Sequence, residues 1–251
     1  MHLGHARTFL MAQERALAAG GELFLRIEDL DQARCKREFV EALEEDLAWA
    51  GLKWEPEVLV QSERLEWYRD VMMRLRDRGV IYPCSCSRKD VAEAIRAPHV
   101  EGQEAIYPGT CREKLVEFAR PEEAWAVNWR FRVPDGESIR FVDGRLGEQS
   151  FVAGRDFGDF LVWRKDGFPS YELAVVADDV AQGITEVVRG EDLLASTARQ
   201  LLIYRVLGEA APSFFHCPLV LDTEGRRLAK RAGAMGLREM RKRGEEVGSG
   251  E

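Results

Sequence analysis

The chain has 251 residues, 36 Lys and Arg against 44 Asp and Glu, a net charge of −8 and 45% hydrophobic residues. That length suits one α/β domain carrying an insertion, or two small domains, and the acidic balance excludes a protein basic throughout. No apolar run approaches the roughly 18 residues of a membrane helix, and no charged segment precedes an apolar one, so a cytoplasmic protein with no membrane partner is expected.

Over residues 5–19 the apolar residues Ala6, Phe9, Leu10, Ala16 and Leu17 predict a helix stopped by Gly20 and Gly21. ELFLRIEDLD then reads as a short apolar strand ending in charge. KREFVEALEEDLAWAGL predicts a second helix, with Phe39, Leu43 and Leu47 four apart and Gly51 as its stop. A third helix is expected from Ser62, a good N-cap, to Gly79. This rhythm predicts a parallel α/β sheet over residues 1–82.

The pattern breaks over residues 83–157, which hold Cys84, Cys86, Cys111, Pro98, Pro108, Pro121, Pro134 and the β-like pieces VNWRFRVP and SIRFVDGRLGEQSFVA, so a separate insertion is expected. The α/β rhythm resumes over 158–222. There YELAVVADDV reads as a strand ending in acids, ITEVVRGEDLL as another strand, and STARQLLIYRVLG as a helix with Ser196 near its start. Residues 223–251 form a basic segment: from Arg226 to Arg243 the chain carries eight basic side chains against Glu239 alone. Such a run is either a solvated helix face or a contact for RNA phosphates.

His2-Leu3-Gly4-His5 places two imidazoles and a glycine at a helix N-terminus, where donors and the positive dipole end suit a phosphate; two exposed histidines are the plain alternative. GRRLAKRAG is a glycine-flanked basic loop whose Lys230 could reach triphosphate oxygens. Arg26, Glu28 and Asp29 fall where a strand would end, the edge at which doubly wound sheets bind ligands. The five cysteines are odd in number and unevenly spaced, unlike a disulfide framework. Three fall within one 28-residue window and read as a metal site. Cys35 and Cys217 read as ordinary thiols, and His99 and His216 as core or surface histidines.

HLGH and RLAKR together resemble the HIGH and KMSKS signatures of class I aminoacyl-tRNA synthetases. RIEDLD, SYELAVVADD and VVRGEDLL resemble the glutamyl branch, and within it the glutamyl-Q tRNA(Asp) synthetase family. The resemblance implies a Rossmann-like doubly wound parallel sheet with an inserted zinc-bearing, acceptor-stem-like domain, working as a monomer. It implies that ATP with Mg²⁺ activates L-glutamate, which passes to the queuosine base at the wobble position of tRNA(Asp). His2, Gly4, His5 and Lys230 would bind ATP, with His2, His5 and Lys230 stabilising the pentavalent phosphate. Glu28, Tyr171 and Arg189 would hold glutamate, and Cys84, Cys86, Tyr107 and Cys111 one structural zinc.

Two departures stand out. RLAKR has Arg227 for the first lysine and Ala229 for serine. The family also carries a strand and a phrase like R-x-A-P-S-P-T-G ahead of its HIGH motif, so a first strand upstream of Met1 is expected. Rival readings are a truncated glutamyl-tRNA synthetase charging tRNA(Glu), a small nucleotidylyltransferase sharing HxGH, and a catalytically inactive paralogue that binds RNA.

Overall fold

Two βαβ units carry the parallel part of the molecule. A computed structural model describes residues 3–31, 35–87, 89–91, 106–114, 118, 121–220 and 237–243. His2, His99, Arg226, Arg227, Lys230 and Arg231 lie outside them. Helix α1 (Leu3–Ala18) leads to β1 (Arg26–Ile27), α2 (Arg37–Trp49) and β2 (Leu59–Val60), with β1 and β2 paired in parallel. The expected strand over ELFLRIEDLD is thus reduced to two paired residues. Leu47 is buried, Leu43 half-buried and Phe39 exposed, so the apolar row of α2 runs from core to solvent; Leu17 of α1 is likewise exposed.

A 3-10 turn (Gln61–Arg64) precedes α3 (Leu65–Asp77). Ser62 does not cap this helix. Its main-chain N–H and hydroxyl instead donate to the Asp29 carboxylate at 2.8 and 2.6 Å, tying the 3-10 turn to the end of β1. Strands β3 (Ile81–Cys84), β4 (Asn128–Phe131) and β7 (Phe160–Trp163) form an antiparallel sheet in the order β3-β4-β7. β5 (Ser138–Asp143) and β6 (Gly147–Val152) make a hairpin. β8 (Glu186–Gly190) and β9 (Ser213–Cys217) pair in parallel, and β9 joins β5 at Asp143 and Phe214, giving the order β6-β5-β9-β8. The sheets therefore run across the boundaries expected at 82 and 157.

YELAVVADDV is helical, not a strand: α4 spans Tyr171–Gln182. Leu173 to Asp179 are all buried, so the segment carries no polar face to reveal a helical period, and a fully buried helix and a buried strand then look alike in sequence. The ends decide it. The Ser170 hydroxyl accepts the Leu173 N–H at 3.3 Å, and Gly183 closes the helix at φ 64°. Helix α5 (Leu194–Leu207) connects β8 to β9. A last helix, α6 (Leu237–Arg243), packs on α2, where Arg241 donates to Glu45 at 3.2 Å. The main core lies between α3, α4, α5 and the β3-β4-β7 sheet, around Tyr68, Met72, Trp129, Trp163, Val176 and Ile203. Among the described residues no helix is long and apolar enough to cross a membrane.

Candidate active site

β1 stops at Ile27 and delivers Glu28 just beyond its carboxyl end, while the Ser170 cap starts α4 at Tyr171 and β8 carries Arg189. The Tyr171 hydroxyl accepts from Arg189 Nη1 at 3.4 Å. Burial first, then the Glu28 charge, push the Tyr171 pKa up to about 12 against the pull of Arg189. A phenol and an arginine from distant parts of the chain are thus in contact, with the charge of Glu28 acting on the phenol. That set can hold a small ligand bearing a carboxylate and an ammonium.

Glu28 accepts from Arg26 at 3.0 Å, and Arg26 also donates to Asp179 of α4 at 2.5 Å. Asp29 is spent on Ser62 and does not join the cluster. His5 lies exposed in the first turn of α1, and the Gly4 carbonyl accepts the Thr8 hydroxyl at 3.2 Å.

Behind Arg189 stand residues that the sequence did not single out for the site. His216 is fully buried; its Nδ1 lies 2.6 Å from Asp143 Oδ2, and its Nε2 accepts from Arg189 Nε at 3.2 Å. Arg189 Nη2 donates to Thr197 Oγ1 at 2.7 Å. Burial, then Arg189 and Arg145, lower the His216 pKa against the upward pull of Asp143. Asp143 and His216 are 73 residues apart, so no local pattern could pair them.

A second cluster lies where β3 ends. Cys84, Cys86 and Cys111 bring their sulfurs within 4.8 Å of one another and could hold a metal ion. The Tyr107 hydroxyl lies 3.4 Å from the sulfurs of Cys84 and Cys86, and the Cys86 and Cys111 sulfurs are 3.5 Å apart. Burial pushes the Cys111 thiol up, but hydrogen bonds from Tyr107, Ser85 and Cys86 outweigh it and bring it down to about 6. Burial raises Cys86 and Tyr107. The group therefore resists carrying several anions at once unless a cation is shared among them.

The parallel βαβ units suit the catalytic core of a class I aminoacyl-tRNA synthetase. Residues 1–248 match the family described as tRNA synthetases class I (E and Q), catalytic domain, and the chain belongs to it, a family of ligases. A glutamyl-Q tRNA(Asp) synthetase of Symbiobacterium thermophilum is 47% identical over 97% of this chain and 78% of its own length. One of Deinococcus radiodurans is 44% identical over 99% of this chain and 81% of its own. Among solved structures, a glutamate-tRNA synthetase from Elizabethkingia anophelis superposes with a TM-score of 0.79 at 29% identity. The match covers 93% of this chain and 50% of that one.

Proposed function

We propose that the chain activates L-glutamate with ATP·Mg²⁺ and transfers it to the queuosine base of tRNA(Asp). The observation that carries this reading is the Tyr171–Arg189 contact under the charge of Glu28, supported by the names of the relatives. Arg189 takes a substrate carboxylate, with Tyr171 beside it, and Glu28 supplies the opposite charge. The glutamate carboxylate attacks the ATP α-phosphorus, the new C–O–P bond forms as the bond to pyrophosphate breaks, and pyrophosphate leaves with its electron pair. A hydroxyl of the queuosine ring then displaces AMP to form an ester. Neither step demands more than positioning and charge neutralisation. His2, Gly4, His5 and Lys230 are assigned to ATP, with His2, His5 and Lys230 assigned to stabilise the pentavalent phosphate, and the basic residues from Arg226 to Arg243 to RNA phosphates. The reaction is assigned to the cytoplasm.

Cys84, Cys86, Tyr107 and Cys111 are assigned to one structural zinc. The donor set suits it: tetrahedral bonds of about 2.3 Å to sulfur and about 2.0 Å to oxygen separate sulfurs by about 3.8 Å and sulfur from oxygen by about 3.5 Å. The separations of 3.5 and 3.4 Å named above lie close to these. When bound, the ion pins the end of β3 to the 107–111 turn.

The test is glutamate-dependent ATP–pyrophosphate exchange with and without tRNA, followed by mapping of the glutamyl ester. Exchange without tRNA, and an ester in the anticodon-loop fragment of queuosine-bearing tRNA(Asp), are expected. An ester on the terminal ribose of tRNA(Glu) would replace this reading with the ligase one. No exchange under either condition would favour an inactive paralogue.

A further inference from the structure

We propose that His216, held from behind by Asp143, is a positioning residue that aims the Arg189 guanidinium at the substrate carboxylate. The proposal rests on the assignment of Arg189 to glutamate. Its argument starts from the sheet: Arg189 on β8 and His216 on β9 are direct cross-strand partners. Side chains from such a pair leave the same face, so the imidazole is the natural wall for the guanidinium.

The tautomer is fixed from below. Asp143, at the end of β5, accepts main-chain N–H groups from Arg145 at 3.0 Å, Leu146 at 2.9 Å and His216 at 3.1 Å, as well as the His216 ring nitrogen at 2.6 Å. Four donors around a buried carboxylate keep it ionised, so the ring proton sits on Nδ1 facing Asp143. Nε2 is left with a lone pair. Arg189 can only donate, and its Nε–H meets that lone pair at 3.2 Å. A ring protonated on Nε2 would instead set its N–H against that of Arg189 and give up the Asp143 bond, leaving only the Thr197 oxygen, also 3.2 Å away, to accept it.

The aim follows by counting donors. Of the five N–H groups of Arg189, Nε is taken by His216, one on Nη2 by Thr197 and one on Nη1 by Tyr171. One N–H on each terminal nitrogen remains among the described contacts, the pair that forms an end-on fork to a carboxylate. Phe214, two residues before His216, places its ring centroid 5.5 Å from the guanidinium carbon. With one face and the Nε edge occupied, the fork has little freedom to swing.

A merely structural His–Asp pair would affect folding without sorting the two substrates. The test uses the full chain with His216→Leu, His216→Gln and Asp143→Asn, fold retention being checked by circular dichroism, and with Thr197→Val as a second route should the leucine variant not fold. In the wild type, ¹⁵N shifts of the imidazole should show the proton on Nδ1. His216→Leu should raise the KM for glutamate in pyrophosphate exchange by about 10-fold to 100-fold and leave that for ATP within about 3-fold. His216→Gln, whose Oε1 can stand in for Nε2, should recover most of the loss. Asp143→Asn should raise the glutamate KM by letting the ring turn its proton toward Arg189. An Nε2–H tautomer in the wild type overturns the proposal, as does a folded leucine variant with an unchanged glutamate KM or with both KM values raised equally. If the wild type shows no exchange, the functional reading fails, and the proposal is decided by the Arg189 Nε–H. Slow hydrogen exchange there, lost in His216→Leu, upholds it; fast exchange in the wild type overturns it.

Discussion

Arg130 on β4 donates its Nε–H to the Cys84 sulfur at 3.3 Å, lies 3.9 Å from the Tyr107 ring centroid and donates Nη1 to the Asp159 carbonyl at 3.0 Å. Three thiolates and a phenolate around a dication leave two excess negative charges, and this buried guanidinium is placed to offset one of them. Arg130→Met should speed zinc loss to a chelator by about 10-fold, and Cys84→Ser should lower the bound zinc below one per chain; unchanged release and unchanged content would remove the metal assignment. His216 makes a different prediction, in pH. Burial holds its folded pKa below the unfolded value of about 6.5. Between those values the unfolded chain binds more protons, so this group's contribution is complete above about pH 6.5 and is lost as pH falls below it. Urea midpoints measured from pH 7.5 down to 5 should decline, and His216→Gln should flatten that slope. An identical slope in the variant would mean that other groups set it.

Among the elements, those with a wet side were the legible ones. α1 and α2 announced themselves through apolar spacing and glycine stops and α3 through its glycine stop, and Gly51 and Gly79 do sit at φ 84° and 69°. β4, β5 and β6 fell where the β-like pieces were. α4 misled because burial removed its period, and its informative residues were the caps. Ser170→Ala should cost about 1 kcal/mol, or roughly 2–4 °C in Tm for a chain of this size. Gly183→Ala should cost a similar amount for another reason: a Cβ there meets nothing within 4 Å, so the penalty is the left-handed backbone alone, about 1–2 kcal/mol. Thermal melts of the two variants decide this, and a neutral Gly183→Ala would mean that the helix end relaxes. The site shows the same division. Glu28, Tyr171 and Arg189 stood in recognisable phrases, whereas Asp143, Thr197 and His216 depend on strand register that no phrase encodes.

At the scale of the whole molecule, α4 joins parts that are far apart in the chain through its last acids. Fully buried Asp178 accepts from Gln61 at 3.0 Å, Arg64 at 2.9 Å and Tyr68 at 2.9 Å, tying in the 3-10 turn and α3. Asp179 takes Arg26 of β1 and, at 3.3 Å, Tyr204 of α5. Adjacent acids thus fasten the β1–β2 unit on one side and, through Tyr204 of α5, the β8–β9 unit on the other. Removing one partner of a buried ionic network strands the others, so Asp178→Ala should cost about 3–5 kcal/mol. Against a total of about 5–15 kcal/mol for a typical domain, that is a large share. The Arg205–Glu137 pair offers the contrast. Its side chains are 54% and 42% exposed, where solvent screening holds an ion pair to about 0–1 kcal/mol, so Arg205→Ala should be close to neutral. Urea unfolding of both variants tests the difference: a comparable loss from each would mean that burial does not set the worth of these charges, and that α4 is not the fastening point.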